Sequence, residues 1–280
     1  QYRSPFFDID RVEVVKGPQA VYFGLNSTAG AVSIISKQHQ PGDATNGFVA
    51  ADYDLDYGGP SLEGAVGFGG DKIGVRLAGK FTDKDGYFRN SLSDMDENGQ
   101  EDTLLRASVI IEPAENFTIT GKAEFSDYST DGHIGEIYGL ASTAIEVDAA
   151  LGQNDGVLNW VRSSNGSSLG AAGFLPSSPG TDGDSQYYQI GAEYALANGG
   201  TISGKLGHSQ FEYQLVTDLD TTYLGILDAG IQEDYDQTSV DLRYASDADK
   251  PFGFMVGGYY HTTELTNAQP NVYGLQAGLA

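Results

Sequence analysis

The sequence predicts an all-β membrane protein, the first part of a large antiparallel β-barrel that crosses a lipid bilayer. Three observations lead to this fold class. Segments of about ten residues alternate apolar and polar side chains, as tilted strands that cross the hydrocarbon region do. The apolar faces of the regular segments carry no charge, and the connections alternate between short and long. Short turns at one edge and long loops at the other are typical of outer-membrane barrels.

Composition excludes several classes of function. The 280 residues include 15 Lys and Arg against 39 Asp and Glu, and the formal net charge of −24 argues against a nucleic-acid partner. The chain has no cysteine, which excludes disulfides and cysteine catalysis. No apolar run approaches the roughly 18 residues of a transmembrane helix. The chain opens without a signal peptide and stops without an aromatic terminal strand, so we expect an internal piece of a longer precursor.

The first element is a strand–turn–strand unit over residues 11–37. Two apolar runs, Val12–Val15 and Ala31–Ile35, flank a centre rich in turn residues. Its informative positions are Val12, Glu13, Val14, Gly17, Pro18, Tyr22, Gly24, Gly30, Ala31, Ile34, Ile35, Ser36 and Lys37. In this order and spacing they resemble the end of the plug domain of TonB-dependent outer-membrane receptors.

The resemblance implies roles for residues of this unit. Three charged residues are expected to make polar contacts between plug and barrel, unless they are ordinary charges on a strand face: Arg11, Glu13 and Lys16. The family usually has Arg at the last of these positions, and Lys cannot reproduce a bidentate guanidinium fork. Four residues are expected to set backbone geometry: Gly17, Pro18, Gly24 and Gly30. No Gly-Lys-Ser or Gly-Lys-Thr follows them, so a phosphate-binding loop is not expected.

A polar linker at 38–46 leads into nine predicted strands. Seven alternate regularly, at 49–57, 61–68, 72–81, 105–112, 117–125, 188–194 and 238–244, while 201–213 and 252–261 alternate less regularly. On the first strand Asp52, Asp54 and Asp56 share the polar face, and we expect them to line the lumen. His208 falls on an apolar face, so we expect it near the membrane interface or at a bulge.

The long connections are acidic and are predicted to be extracellular loops, at 84–102, 129–184 and 216–235. A compact soluble domain would not tolerate the longest of them. Within it, residues 139–151 predict a short amphipathic helix. This loop, with Trp160, is the candidate for ligand capture by its location alone. The alternative is a loop that packs on its own apolar face.

One loop carries a weak metal-binding pattern. Two aspartates and an asparagine at alternate positions, followed by a glycine and, three residues later, another aspartate, resemble the chemistry of a calcium loop, with hard oxygen ligands at Asp94, Asp96, Asn98 and Asp102. Leu105 stands where an EF-hand has Glu, so a solvated acidic turn is the preferred interpretation. No other cofactor is expected. No catalytic constellation is recognisable, and we do not expect an enzyme.

The family resemblance implies a domain division and a function. Residues 1–40 would be the C-terminal part of the plug, and 41–280 a partial barrel of about nine strands. They would form the N-terminal half of a barrel of about 22 strands when complete. The receptor would lie in the bacterial outer membrane, in contact with its lipid, and import a scarce nutrient, with a ferric siderophore as the expected ligand. TonB and its inner-membrane energising complex would act through an N-terminal segment outside this chain.

Two other functions fit parts of the pattern. A passive porin-like outer-membrane barrel would have the same strands but no plug, so the match over residues 11–37 would be accidental. A secreted soluble β-rich binding module would pack its alternate apolar faces on each other. The uncharged apolar faces and the alternating loop lengths favour the membrane barrel over this module.

Overall fold

A computed structural model describes residues 6–17, 29–56, 58–90, 95–132, 179–218, 227–247 and 249–273. In these ranges the chain forms fourteen strands. No helix within them is long and apolar enough to cross a bilayer. The predicted helix at 139–151 lies outside the described residues.

The strands form one large sheet and two separate hairpins. The first hairpin contains β1 (Ile9–Lys16) and β2 (Gly30–Ser36), and the second contains β6 (Phe88–Asn90) and β7 (Met95–Glu97). The large sheet contains β3 (Asn46–Tyr53), β4 (Pro60–Gly70), β5 (Ile73–Lys84), β8 (Gln100–Ala114), β9 (Phe117–Asp131), β10 (Gly180–Ala195), β11 (Thr201–Asp218), β12 (Leu227–Ala245), β13 (Met255–Ala268) and the short β14 (Asn271–Tyr273).

The large sheet is an up-and-down meander. Its order is β3-β4-β5-β8-β9-β10-β11-β12-β13, every pair is antiparallel, and β14 also pairs with β12. The turns at 71–72, 115–116, 196–200 and 246–254 lie at one edge, and the remaining connections lie at the other. The described sheet thus contains nine long strands and the short β14. Because the connections alternate between the two edges, successive long strands run in opposite directions.

Several strands are longer than the predicted ten residues. β8 and β9 have 15 residues each, β11 has 18 and β12 has 19. The extra pairs join polar residues, such as Asp184 with Glu212 and Glu212 with Asp234. Hydrophobic alternation stops at the end of the apolar band, whereas backbone pairing continues beyond it. The prediction of strand length from alternation was therefore too short.

The longer strands also shorten the predicted loops. β9 extends to Asp131 and β10 begins at Gly180, within the predicted loop 129–184. The predicted loop 216–235 is reduced to 219–226, because β11 and β12 extend into it. The predicted loop 84–102 contains the hairpin β6–β7. At the start of the sheet, β3 ends at Tyr53, so Asp54 lies in the following turn rather than on the strand.

The two faces of the large sheet differ in chemistry. One face, termed the outer face, exposes an apolar band that includes Leu105, Ile190 and Leu242, which are 53%, 61% and 59% exposed. Aromatic contacts border this band: Phe117 with Tyr194 at 6.1 Å, and Phe125 with Tyr188 at 5.6 Å, between ring centroids. Eight residues separate the two phenylalanines on β9, or about 26 Å at roughly 3.3 Å per residue. Because strands of membrane barrels tilt by about 35–45°, this length spans a height of roughly 20 Å, somewhat less than the apolar band of about 25 Å in such barrels.

The opposite face, termed the inner face, carries the cations. Alternation and register place seven Lys and Arg side chains of the large sheet on it: Arg76, Lys80, Lys84, Arg106, Lys122, Lys205 and Arg243. The strand residues that the structure describes put no Lys or Arg on the outer face. His208 is on the outer face beside the aromatic pair Phe125 and Tyr188, at one border of the apolar band. Its Nδ1 lies 3.0 Å from Thr238 Oγ1, and the strand register shows no bulge at this position.

Candidate functional site

The N-terminal segment Phe6–Asp8, termed the docking segment, lies on the inner face of the large sheet. Phe7 is 3% exposed and forms a small apolar cluster with Ala65 and Ala78, against which Leu104 packs. Burial of one phenylalanine contributes about 1.5–3 kcal/mol, so this cluster is a weak apolar anchor. Polar contacts therefore carry much of the attachment.

Asp8 makes the strongest of these polar contacts. Arg76 donates from Nε to Asp8 Oδ2 at 2.6 Å and from Nη2 to Oδ1 at 2.5 Å. The Asp8 side chain is 0% exposed and that of Arg76 is 6% exposed, so water does not screen the pair. A bidentate pair of this kind fixes both the distance and the orientation of the two groups.

The backbone of Asp8 is held from two sides. Its N–H donates to Glu63 Oε1 at 3.2 Å, and its carbonyl accepts from the Lys37 N–H at 3.0 Å. Its φ of 48° lies in the left-handed region, which Asp adopts more readily than most residues but still at a cost. Contacts with a barrel strand and with the residue after β2 thus hold Asp8 in an uncommon conformation.

Arg106 holds the residue before Asp8. Its Nη1 donates to the Phe7 carbonyl at 2.8 Å, and its guanidinium carbon lies 4.4 Å from the centroid of the Phe7 ring. The Nε of Arg106 pairs with Glu124, which also accepts from Lys122 Nζ at 3.1 Å. Lys122 in turn lies over the Tyr187 ring at 5.6 Å. A row of paired charges on β8 and β9 therefore fixes the Arg106 side chain.

A second branch runs from Arg76 to the linker after β2. Arg76 Nη1 donates to Asn46 Oδ1 at 3.2 Å, and Asn46 Nδ2 lies 3.4 Å from His39 Nδ1. Since Asn46 offers its amide hydrogens to His39, the network assigns the role of acceptor to Nδ1 and the ring proton to Nε2. His39 is 2% exposed, and its Nε2 has no hydrogen-bond partner among the described residues.

Two glycines make room for the buried histidine. A Cβ at Gly67 on β4 would collide with the His39 ring, and one at Gly74 on β5 would collide with the His39 carbonyl. A third contact fixes the linker farther on, where the Gly42 N–H donates to the Gly70 carbonyl at 3.0 Å. The linker therefore packs on β4 and β5, two of the three strands that contact the docking segment.

Solved structures show which fold this arrangement belongs to. The ferric yersiniabactin uptake receptor FyuA from Yersinia pestis matches 95% of this chain with a TM-score of 0.71 and 14% sequence identity, and 38% of that receptor is covered. The siderophore receptor PiuA from Acinetobacter baumannii matches 93% with a TM-score of 0.63 and 18% identity, and 36% of it is covered.

The chain has the fold of a TonB-dependent outer-membrane receptor. The pyoverdine outer membrane receptor FpvA from Pseudomonas aeruginosa PAO1 also matches, over 96% of this chain and 37% of that chain, with a TM-score of 0.65 and 14% identity. The chain thus spans less than two-fifths of each of these three receptors. These neighbours are receptors, not enzymes, in agreement with the expectation from sequence. No family model matches the sequence.

Within this receptor fold, the charged residues predicted for plug–barrel contacts lie on the first hairpin. Arg11 donates to Asp10 and to Glu13, each at 2.7 Å, with about half of each side chain exposed. The hydrogen bond to Glu13, and then the one to Asp10, raises the pKa of Arg11. Lys16 pairs with Gly30 at the end of the hairpin. Their role in holding a plug inside a barrel remains a prediction.

The other predicted site residues fall partly outside the described ranges. Gly17 and Gly30 have φ values of 86° and 144°, and a Cβ at Gly30 would collide with the Val15 carbonyl. Of the remaining predicted residues, Pro18, Gly24, Asp94 and Trp160 lie outside the residues that the structure describes.

The predicted calcium loop surrounds a carboxylate from the neighbouring strand. Asp131 Oδ1 accepts from the Gly99 N–H at 2.6 Å, and the Asp131 carbonyl accepts from the Asn98 N–H at 2.9 Å. Asn98 has a φ of 68°, which suits the tight turn that these two bonds close. In the described part of the chain, no group of three or more His, Cys, Asp and Glu residues is placed to hold a metal ion. Calcium binding at Asp96, Asn98 and Asp102 remains a prediction.

Sequence reasoning did not find Asp8, Arg76, Arg106 or His39. Asp8 precedes the matched pattern by a few residues, and the two arginines were counted only as members of polar strand faces. One usable signal was present: an arginine on the inner face of a strand needs a partner wherever another part of the chain covers that face and excludes water.

Proposed function

We propose that the chain belongs to a TonB-dependent outer-membrane receptor that imports a scarce nutrient, with a ferric siderophore or a related iron complex as ligand. The observation that carries the proposal is the buried polar attachment of the docking segment to the inner face, centred on Asp8 and Arg76. The fold and the functions of its structural neighbours, among them ferric yersiniabactin uptake, support the choice of ligand.

In this proposal, residues 1–40 are the end of the plug and the large sheet is part of the barrel wall. The outer apolar band would face outer-membrane lipid, because a charge at its middle would cost about 2–4 kcal/mol. The acidic connections at the longer-loop edge would face the outside of the cell. The ligand would bind there before it passes between wall and plug.

The chemistry of the attachment suits a plug that must move and return. Separating Phe7 from its small cluster exposes little apolar surface, whereas each polar contact can exchange its partner for water or for another polar group. TonB, with its inner-membrane energising complex, would pull on an N-terminal segment outside this chain. The bidentate pair of Asp8 and Arg76 would resist that pull until the force displaces the docking segment.

Growth of a strain that lacks the gene tests the proposed function. The strain is supplied with single iron sources: ferric catecholate, ferric hydroxamate, ferric citrate or haem. We expect growth to fail on one of them and to return with a plasmid copy of the gene. The same source should fail to support growth of a strain that lacks TonB, since a passive porin would not need it. Undiminished growth of the gene-deletion strain on all four iron sources would contradict the proposal.

A further inference from the structure

We infer that Arg76, with Arg106 on the neighbouring strand, forms an anion-binding site on the inner face. At rest Arg76 holds the Asp8 carboxylate there and Arg106 holds the Phe7 carbonyl, and an oxyanion group of the transported solute takes the place of the carboxylate during passage. The second half of this inference rests on the proposed function, since it needs a solute that passes along the wall. The ligand class is a carboxylate or a similar oxyanion.

The arginines are prepared for an anion before any solute arrives. Asn46 orients the Arg76 side chain and Glu124 orients that of Arg106, while each residue is 5% exposed. In Arg76, the Nε and Nη2 hydrogens together face the two oxygens of Asp8. This fork geometry recognises any planar carboxylate and does not depend on the rest of the aspartate residue.

Departure of the docking segment leaves the site positively charged. The charged groups at the site are then three cations, Arg76, Arg106 and Lys122, and two carboxylates, Glu63 and Glu124. Arg76 then lacks the two oxygens that Asp8 supplied, and a guanidinium without its anion is destabilised to the extent that it stays out of water. An arriving oxyanion would relieve that cost, and the return of Asp8 would release the oxyanion again.

Space for a solute adjoins the site. A cleft of about 340 Å³ lies between the docking segment and the inner face, lined by Phe6, Lys80, Leu104 and Tyr128 among others. Leu104 also packs against the cluster that contains Phe7, so the cleft borders the docking segment directly. The lining contains one cation, Lys80, and one carboxylate, Asp102.

The charge of the whole chain makes such a site unusual. The formal net charge is −24, and a solute with carboxylate groups would be repelled by most of the surface. Arg106 lies at the middle of β8 and Arg76 in the first third of β5, both on the inner face, whereas the acidic pairs Asp184–Glu212 and Glu212–Asp234 lie on the outer face beyond the apolar band. The inner face also carries the carboxylates Glu63, Asp102 and Glu124, so the two arginines are a local group of cations on it.

Chemical rescue with acetate tests the site in the full-length protein in detergent. The variant Asp8→Gly removes a side chain equivalent to acetate, and glycine tolerates the φ of 48°. We expect hydrogen exchange of residues 6–17 to become faster in this variant, and acetate to slow it again by about tenfold with saturation, as a restored charged hydrogen bond would. Equimolar chloride controls for ionic strength, and acetamide, the neutral isostere, should have no effect.

The double variant Asp8→Gly/Arg76→Gln identifies the arginine as the binding group. It should show fast exchange that acetate does not slow, and wild-type protein should not respond to acetate at all. An equal effect of acetate and acetamide, or rescue without Arg76, would overturn the inference. Hydrogen exchange does not depend on uptake. Failure of the acetate rescue would therefore count against the anion site alone, and failure of the growth test would count against the proposed function alone.

Discussion

Arg76 binds both carboxylate oxygens of Asp8, at 2.6 Å and 2.5 Å, across 68 residues of sequence. The pair joins the segment before the first hairpin to the third strand of the large sheet. Both side chains are buried, so neither charge can lose its partner without a large cost. This one contact determines where the docking segment lies on the large sheet, and it shows how a polar interface holds that segment.

Removal of one charge of this pair should release the docking segment. Asp8→Asn keeps the shape of the side chain but leaves Arg76 uncompensated, at a cost of about 3–5 kcal/mol. We expect hydrogen exchange of residues 6–17 to accelerate by roughly 100-fold or more. The control Asp10→Asn removes an exposed charge two residues away and should change the exchange rate of these residues by less than about fivefold. The double variant Asp8→Asn/Arg76→Gln should be less perturbed than the sum of the single variants, and strictly additive effects would refute the coupling.

A methyl group at Gly67 should displace the linker from the inner face. The Cβ of Gly67→Ala would collide with the buried His39 ring, whereas Gly70→Ala on the same strand meets no atom within 4 Å. We therefore expect Gly67→Ala, and not Gly70→Ala, to speed hydrogen exchange at 37–44 and to lower the amount of folded receptor in the outer membrane. Hydrogen exchange measures the first effect, and the heat-dependent gel mobility of folded barrels measures the second. Equal behaviour of the two variants would show that the histidine can move aside.

A lysine in the middle of the outer face tests where the bilayer lies. Val109→Lys places a charge midway along the apolar band and should destabilise the folded protein in liposomes by about 2–4 kcal/mol. Glu101→Lys, on the same face of the same strand but beyond the aromatic residues, should cost less than about 1 kcal/mol. Urea unfolding from lipid vesicles measures both. A similar cost at the two positions would place the bilayer elsewhere.

The acidic end of the outer face should make stability depend on pH. Partial burial and, second, the carboxylate of Asp127 raise the pKa of Asp182 and that of Asp184. A carboxyl group whose pKa is higher in the native state than in the unfolded state stabilises the native state while it is protonated. This contribution is fully present below the ordinary pKa of Asp, about 3.9, and is lost as the pH rises through the raised pKa. Asp127→Asn removes one cause, so it should raise the melting temperature at pH about 7 and leave it unchanged at pH about 3. An equal gain at both pH values would point to a cause other than charge.

The order of the long strands and their outer faces could be predicted because lipid imposes a strict rule. Leu105, Ile190 and Leu242 must alternate with polar residues wherever the wall crosses the bilayer, and that pattern is visible in one dimension. The strand ends were not predictable in this way. Between Asp182 and Tyr188, and opposite them on β11, both faces are largely polar, so alternation carries no signal while backbone pairing continues.

The candidate site could not be read from local sequence. Asp8 and Arg76 are 68 residues apart, and Arg106 contacts the Phe7 carbonyl across 99 residues. Each residue by itself looks like an ordinary charge on a strand or in a linker. The family resemblance pointed to Arg11, Glu13 and Lys16 within the hairpin, whose role remains a prediction, whereas the described contacts with the large sheet come from residues just before and just after the hairpin.

Accessibility of a cysteine beneath the docking segment tests the central claim most directly. Ala78 is 8% exposed and lies in the cluster that Phe7 covers, and the chain has no cysteine of its own. In a full-length receptor otherwise free of cysteine, Ala78→Cys should resist a membrane-impermeant maleimide in resting cells. It should become labelled in energised cells that import the ligand, and also at rest when Asp8→Asn is added. Protection that persists in both conditions, or full labelling at rest with Asp8 intact, would contradict a docking segment held to the wall by Asp8 and Arg76.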